Sequence, residues 1–188
     1  MGLNSSILFA ILPSIIVIER LQELNAAKLN TREILAIGGR EFGASHYPVI
    51  VSMHVLFFES LVTEFVMRDK TLPSYFPFPL ILFVLAQGLR FWTRSTMKGR
   101  WTTRVLVIPG EKLIHNGPFR FLHHPNYIAV AMELFSLPLI FGLFTTCILF
   151  SILNAIMLLF IRIPCERSAL EWSQQQKITR ETAETLPR

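Results

Sequence analysis

Apolar residues in this chain come in long blocks, and the polar residues gather between them. A helix that crosses a bilayer needs about 20 mostly apolar residues. Five blocks approach that length, at about 3–24, 47–67, 75–92, 126–140 and 142–163. The first has a short apolar core and contains Pro13, which predicts a kink. The last two are parts of one apolar run, 126–163. As a single helix that run would be ~57 Å long, nearly twice the ~30 Å hydrocarbon core, so it must fold back. Pro138 and Gly142 mark the turn. Between the blocks, 25–45 is expected to be a loop with a short helical piece, and Gly38 to Gly43 within it a turn. The longest polar interval is the loop 93–125, and 164–188 is a charged tail. The pattern predicts an all-α fold. Residues 1–188 would form one integral-membrane domain, a helical bundle of about five transmembrane helices with a cytoplasmic site.

Charge gives the bundle a direction. The segments 19–46, 90–125 and 162–188 hold 16 of the 18 Lys and Arg residues. Basic residues flank spans on the cytoplasmic side, so the N-terminus is expected outside and the C-terminus inside. The loop 93–125 and the tail then share the cytoplasmic face. No basic residue precedes the first block, and Glu19-Arg20 follows it where a signal peptide would have a small-residue cleavage site. The block therefore reads as a retained span.

Composition agrees with a multi-pass membrane protein. Hydrophobic residues make up 52% and charged residues 16%, with mean hydropathy +0.46, whereas a soluble domain is about 25% charged. The net charge of +5 is no argument for nucleic acid, because the basic residues border apolar blocks and form no stripe. Membrane lipids are the partners to expect. Cys147 and Cys165 suggest neither a disulfide framework nor a metal site, and the five His include no His-x-x-x-His pair.

Ionisable and amide groups inside the blocks are costly in lipid and should face the bundle interior. They are His54, Glu59, Gln87, Arg90, Glu133 and Asn154. Gln87 and Arg90 share a helix face, as do Asn126 and Glu133. Interhelical hydrogen bonding and a functional lining both fit these positions.

Two stretches carry candidate chemistry. Residues 113–127 read Leu-Ile-His-Asn-Gly-Pro-Phe-Arg-Phe-Leu-His-His-Pro-Asn-Tyr. Gly117-Pro118 permits a sharp turn, and Pro125 is suited to start a helix. Free N–H groups in that helix's first turn would favour a carboxylate. These features point to a small-molecule site at the cytoplasmic mouth of the fourth span. In the tail, Arg162 and Glu166 stand four apart, with Pro164 between them expected to interrupt a helix. A surface ion pair capping the fifth span is the plain alternative.

The stretch from Gly117 to Tyr127, followed by Arg-Ile-Pro-Cys-Glu-Arg-Ser-Ala-Leu from Arg162, resembles the isoprenylcysteine carboxyl methyltransferase family of integral-membrane enzymes. Residues 40–48 with His54 resemble its bacterial branch that O-methylates long-chain alkylpyrones. The resemblance implies S-adenosylmethionine as cofactor, held by Gln87, Leu113, Ile114, Gly117, Pro118, Phe119, His124, Pro125, Tyr127 and Glu166. It implies a lipophilic small-molecule substrate, Arg162 as the residue that orients the acceptor oxygen and His123 as a second candidate to hold it. His123 stands where the family has Arg, Phe119 where it has Tyr, and Arg167 where it has a second Glu. An imidazole holds an anion more weakly than a guanidinium does, so the change at His123 leans towards a phenol or enol acceptor over a carboxylate. Carboxyl methylation of a prenylcysteine-like substrate, an NADPH-dependent reductase on a similar scaffold and a non-enzymatic membrane protein remain as other readings.

Overall fold

Helix α1 spans Ser5–Ala36, and the side chain of Asn4 caps it by accepting the Ser6 N–H at 3.1 Å. The computed structural model describes residues 4–68 and 71–185. Residue 3 at the start of the first expected span, Asp69 and Lys70 between the second and third, and 186–188 of the tail lie outside that range. Helix forms 78% of the chain. α1 continues through 25–36, where a loop was expected. That stretch is rich in Ala, Leu, Lys, Arg and Glu, all good helix formers, and Gly38, at φ +89°, lies just past its end. Ala27 and Ile34, seven apart, are buried on one face.

Helix α2 spans Tyr47–Met67, α3 Pro77–Met97, α4 Pro125–Ile140 and α5 Phe144–Met157. The turn between α4 and α5 falls where Pro138 and Gly142 predict it, with Gly142 at φ +70°. α5 does not end in a loop. A π-turn over Leu158–Arg162 carries it into α6, Ile163–Thr185, so one continuous rod replaces the expected span and separate tail. Pro164 does not interrupt this rod. Proline lacks the N–H that would bond four residues back, and the widened turn just before it, closed by Ile163 N–H on Leu158 O, takes up that defect.

Two short strands were not foreseen. β1 (Arg40–Phe42) and β2 (Val105–Val107) pair antiparallel, with Glu41 opposite Leu106. They join the two long polar intervals into one ribbon at the end of the bundle where α4 begins.

The core packs large side chains from α1, α2, α4 and α5 around Phe57, Leu61, Leu134 and Leu137. Phe9 stacks on Phe65 at 3.7 Å and meets Phe141 edge-on. The outer faces are apolar too. Ile7, Ile11, Ile15 and Ile18 stand exposed along α1, Val51, Val55, Val62 and Val66 along α2, and Ile148, Ile152 and Ile156 along α5. Contiguous stripes of this kind mark a surface not meant for water. Ala44–Met67 and Phe144–Thr179 are long and apolar enough to cross a membrane, and Pro125–Ile140 is a shorter apolar helix.

Candidate active site

A cavity of about 870 Å³ runs between α1, α2, α4 and α5. Its walls are mostly apolar, with Val17, Leu21, Met53, Phe58, Val130 and Met157 among them. Tyr47, Trp101, Thr103, Tyr127 and Arg162 line it at the end where α4 begins. A second, smaller hollow of about 260 Å³ lies along α6, lined by His124, Ile163, Glu166, Arg167, Leu170, Glu171 and Gln174.

Tyr127 joins the two. It lines the large cavity, and its hydroxyl donates to Glu166 Oε2 at 2.7 Å in the smaller one. The same hydroxyl accepts from Arg162 Nε at 3.2 Å. His124 stacks on the Tyr127 ring, centroids 5.2 Å apart, and its Nδ1 is 3.4 Å from Glu166 Oε2. The sequence separates His124 and Tyr127 from Arg162 and Glu166 by a helical hairpin, and the fold brings the four together.

Arg162 is fixed from a second side. Its Nη2 donates to the carbonyl of Thr103 at 2.9 Å. Thr103 lies just before β2 and donates through Oγ1 to the Tyr47 hydroxyl at 3.3 Å. Arg104 lies over the Tyr47 ring at 4.8 Å and bonds Glu41 of β1 through both carboxylate oxygens, at 2.8 and 3.0 Å. The β-ribbon thus holds the strap of Trp101 to Arg104 over the cavity. This gives Glu41 a role that its sequence motif did not reveal.

The opposite wall is ionic. Arg20 Nη1 donates to Glu23 at 2.9 Å, and Arg20 Nη2 to both oxygens of Glu133. Arg90 meets Glu23 through Nε at 2.9 Å and again through Nη2, and Asn126 through Nη1 at 3.1 Å. Gln87 Nε2 donates to Glu133 Oε2 at 3.0 Å. Glu23, Arg90 and Glu133 are all buried. The network sets Arg20 and Arg90, with Arg94 3.8 Å from Glu23, against two Glu and ties α1 to α3 and α4.

The other sequence-predicted residues fall as follows. Gln87 serves the ionic network, on a face turned to Glu133, and not the hollow along α6. Gly117 takes φ +59°, and a Cβ there would come within 2.3 Å of Thr96 Oγ1, so the motif turn packs tightly on the end of α3. Pro118 and Pro125 are buried, Ile114 and Phe119 half-buried, Leu113 exposed. None of these five lines either cavity. His123 is exposed and lines neither cavity, so the structure does not bring it to Arg162. The first turn of α4 is also less open than its proline suggested. Tyr127 N–H and Ile128 N–H both bond His124 O, and Pro125 has no N–H to offer, leaving Asn126 for a ligand. Trp101, Thr103, Tyr47, Glu171 and Gln174 are site residues that sequence reasoning missed.

Residues 79–172 match the model of the isoprenylcysteine carboxyl methyltransferase (ICMT) family. The uncharacterized protein YpbQ of Bacillus subtilis (strain 168) is 37% identical over 164 residues, which cover 87% of this chain and 97% of that protein. An uncharacterized protein of Haemophilus influenzae is 22% identical over 152 residues, 80% of this chain and 88% of its own. No solved structure matches significantly. The matched region takes in α3, the motif loop, the α4–α5 hairpin and the first part of α6, and with it every residue of the Tyr127 junction: the chain belongs to the isoprenylcysteine carboxyl methyltransferase family, a membrane-associated family of methyltransferases.

Proposed function

We propose that this protein is an S-adenosylmethionine-dependent membrane methyltransferase acting on an oxygen of a lipophilic acceptor, the hydroxyl of a long-chain alkylpyrone or phenol. The observation that carries the reading is the junction at Tyr127, where a large apolar cavity meets a small polar hollow. A lipid-like acceptor and a polar cofactor need two such compartments with one shared wall.

The hollow suits the cofactor that the family generally uses. Its carboxylates, Glu166 and Glu171, match ribose hydroxyls or an ammonium group, Arg167 matches a carboxylate, and Ile163 and Leu170 offer an apolar bed. S-adenosylmethionine supplies an electrophilic methyl on a sulfonium centre. The chain's own part is alignment and exclusion of water. Arg162 spends Nε on Tyr127 and Nη2 on Thr103, which leaves Nη1 to hold the acceptor oxygen. Tyr127, donating to Glu166, keeps Arg162 in line with the hollow. Trp101 and Thr103 cover the meeting point.

The apolar outer faces of α1, α2 and α5 support a multi-pass chain, five spans in all, with the N-terminus outside and the site cytoplasmic. Carboxyl methylation of a prenylcysteine-like substrate is the second reading, favoured by the guanidinium at the cavity mouth, which suits a carboxylate. The test is purified protein offered S-adenosylmethionine or NADPH in calorimetry, then a methyl-transfer assay with a long-chain alkylpyrone and a farnesylcysteine. Binding of S-adenosylmethionine with methylation of the pyrone is expected. Methylation of farnesylcysteine alone would favour the second reading, and binding of NADPH alone would overturn both.

A further inference from the structure

The large cavity is not lined by apolar groups alone. Asn154 of α5 lines it and is only 4% exposed. Among the described residues, none hydrogen-bonds its side-chain amide, which is left to face the cavity. Buried amides are nearly always partnered, so one without a partner points to something that completes it.

His54 of α2 lines the same cavity. Its Nδ1 lies 2.9 Å from the carbonyl of Ile50, one turn back. A carbonyl only accepts, so Nδ1 carries the hydrogen and donates it. In the neutral ring Nε2 is then an acceptor.

The packing register sets the two residues level. α2 and α5 run antiparallel, with Ser60 Oγ 2.8 Å from Thr146 Oγ1 and the Phe57 ring 5.4 Å from that of Phe150. Carrying the pairing from Phe57 back to His54 brings it opposite 153–154. Asn154 precedes Arg162 by eight residues, about 12 Å along a helix at 1.5 Å per residue.

We propose that His54 and Asn154 form a second polar station in the cavity, which binds a hydroxyl on the chain of the acceptor about 12 Å from the oxygen held at Arg162. The pair selects the group. His54 Nε2 asks for a donor, and Asn154 offers an N–H as well as a carbonyl. A hydroxyl donates to the first and accepts from the second, whereas an ether, ester or ketone cannot serve His54. The preferred acceptor is then an amphiphile with a hydroxylated chain, not a plain alkyl one. The identity of the head group rests on the methyltransferase reading; the station does not.

The test separates the two by reading binding without cofactor. Full-length protein in lipid nanodiscs, with Trp92 and Trp172 replaced by Phe, is titrated with octadecanoate and with its counterpart hydroxylated at mid-chain. The fluorescence of Trp101, which lines the cavity, reports occupancy. The hydroxylated chain is expected to bind about tenfold tighter, the effect of one well-made buried hydrogen-bonded pair. Asn154→Leu and His54→Leu should each abolish that preference, and His54→Gln, whose amide oxygen still accepts, should keep part of it. Equal affinity of the two chains for the unsubstituted station, the result if it holds only water, would overturn the proposal. So would a preference that survives Asn154→Leu. Failure to methylate any acceptor would end the methyltransferase reading and leave this binding comparison intact.

Discussion

The Tyr127 hydroxyl does two jobs with one oxygen, accepting from Arg162 and donating to Glu166. Tyr127→Phe keeps the ring stacked on His124 and removes both bonds. Bonds to charged partners contribute about 1.5–3 kcal/mol each, so kcat/KM should fall at least about tenfold, read in a methyl-transfer assay. Glu166→Gln removes a carboxylate from the hollow and should weaken S-adenosylmethionine binding by about tenfold in calorimetry. Unchanged affinity would move the cofactor elsewhere. Gly117→Ala combines a left-handed backbone with a clash on Thr96, and the motif turn should loosen, with lower thermal stability that Thr96→Gly partly restores. His123→Arg and His123→Ala are both expected to leave acceptor preference and the pH–rate profile as they are, because His123 lines neither cavity. His124, Tyr127, Arg162 and Glu166 were legible in the sequence because their spacing within two short stretches carries over position by position. Tyr47, Trp101 and Thr103 were not, since what brings them to the site is the pairing of three-residue strands some 60 positions apart, which leaves no local signature.

At the scale of elements, the helices are held together by charge as well as by packing. Glu23 and Glu133 are buried, and each faces an Arg that is largely withdrawn from water. Breaking one partner of a buried ion pair costs about 3–5 kcal/mol, while replacing the whole set by apolar groups can be neutral. Glu133→Gln should therefore lower the unfolding midpoint in detergent strongly, and a combined Arg20→Met, Glu133→Leu variant should recover part of the loss. If the double change were as harmful as the single ones added together, the network would not be acting as a unit. Glu133, Gln87 and Arg90 could be recognised in advance as polar groups in apolar blocks. Arg20 and Glu23 could not, because α1 was expected to end near residue 24, where they would have met water. The same early ending hid the second half of α1. Its composition is that of an ordinary polar helix, and a hydropathy pattern marks only the part that faces lipid.

For the whole molecule, the proposed orientation rests on where the charges can go. Arg20 and Arg90 count among the 16 basic residues of the segments proposed to lie inside but are neutralised in the ionic network. Without these two, 14 remain in those segments against two elsewhere, so the charge split behind the proposed N-out orientation changes little. A cysteine introduced at Arg100 should be closed to an impermeant thiol reagent from outside and open to it in inverted vesicles; labelling from outside would reverse the topology. The continuous rod from α5 into α6 has one more consequence. Arg162 sits in its π-turn and Glu166 just beyond it, so the large cavity and the small hollow are keyed to one shaft. Each residue turns an α-helix by about 100°. Deleting one residue between Arg162 and Glu166 would swing Glu166 round by about that angle and leave both cavities with their walls but out of phase with each other. Such a protein should still fold and still take up its ligands separately, yet transfer nothing between them. In that short stretch, selection would act on the count more sternly than on the letters.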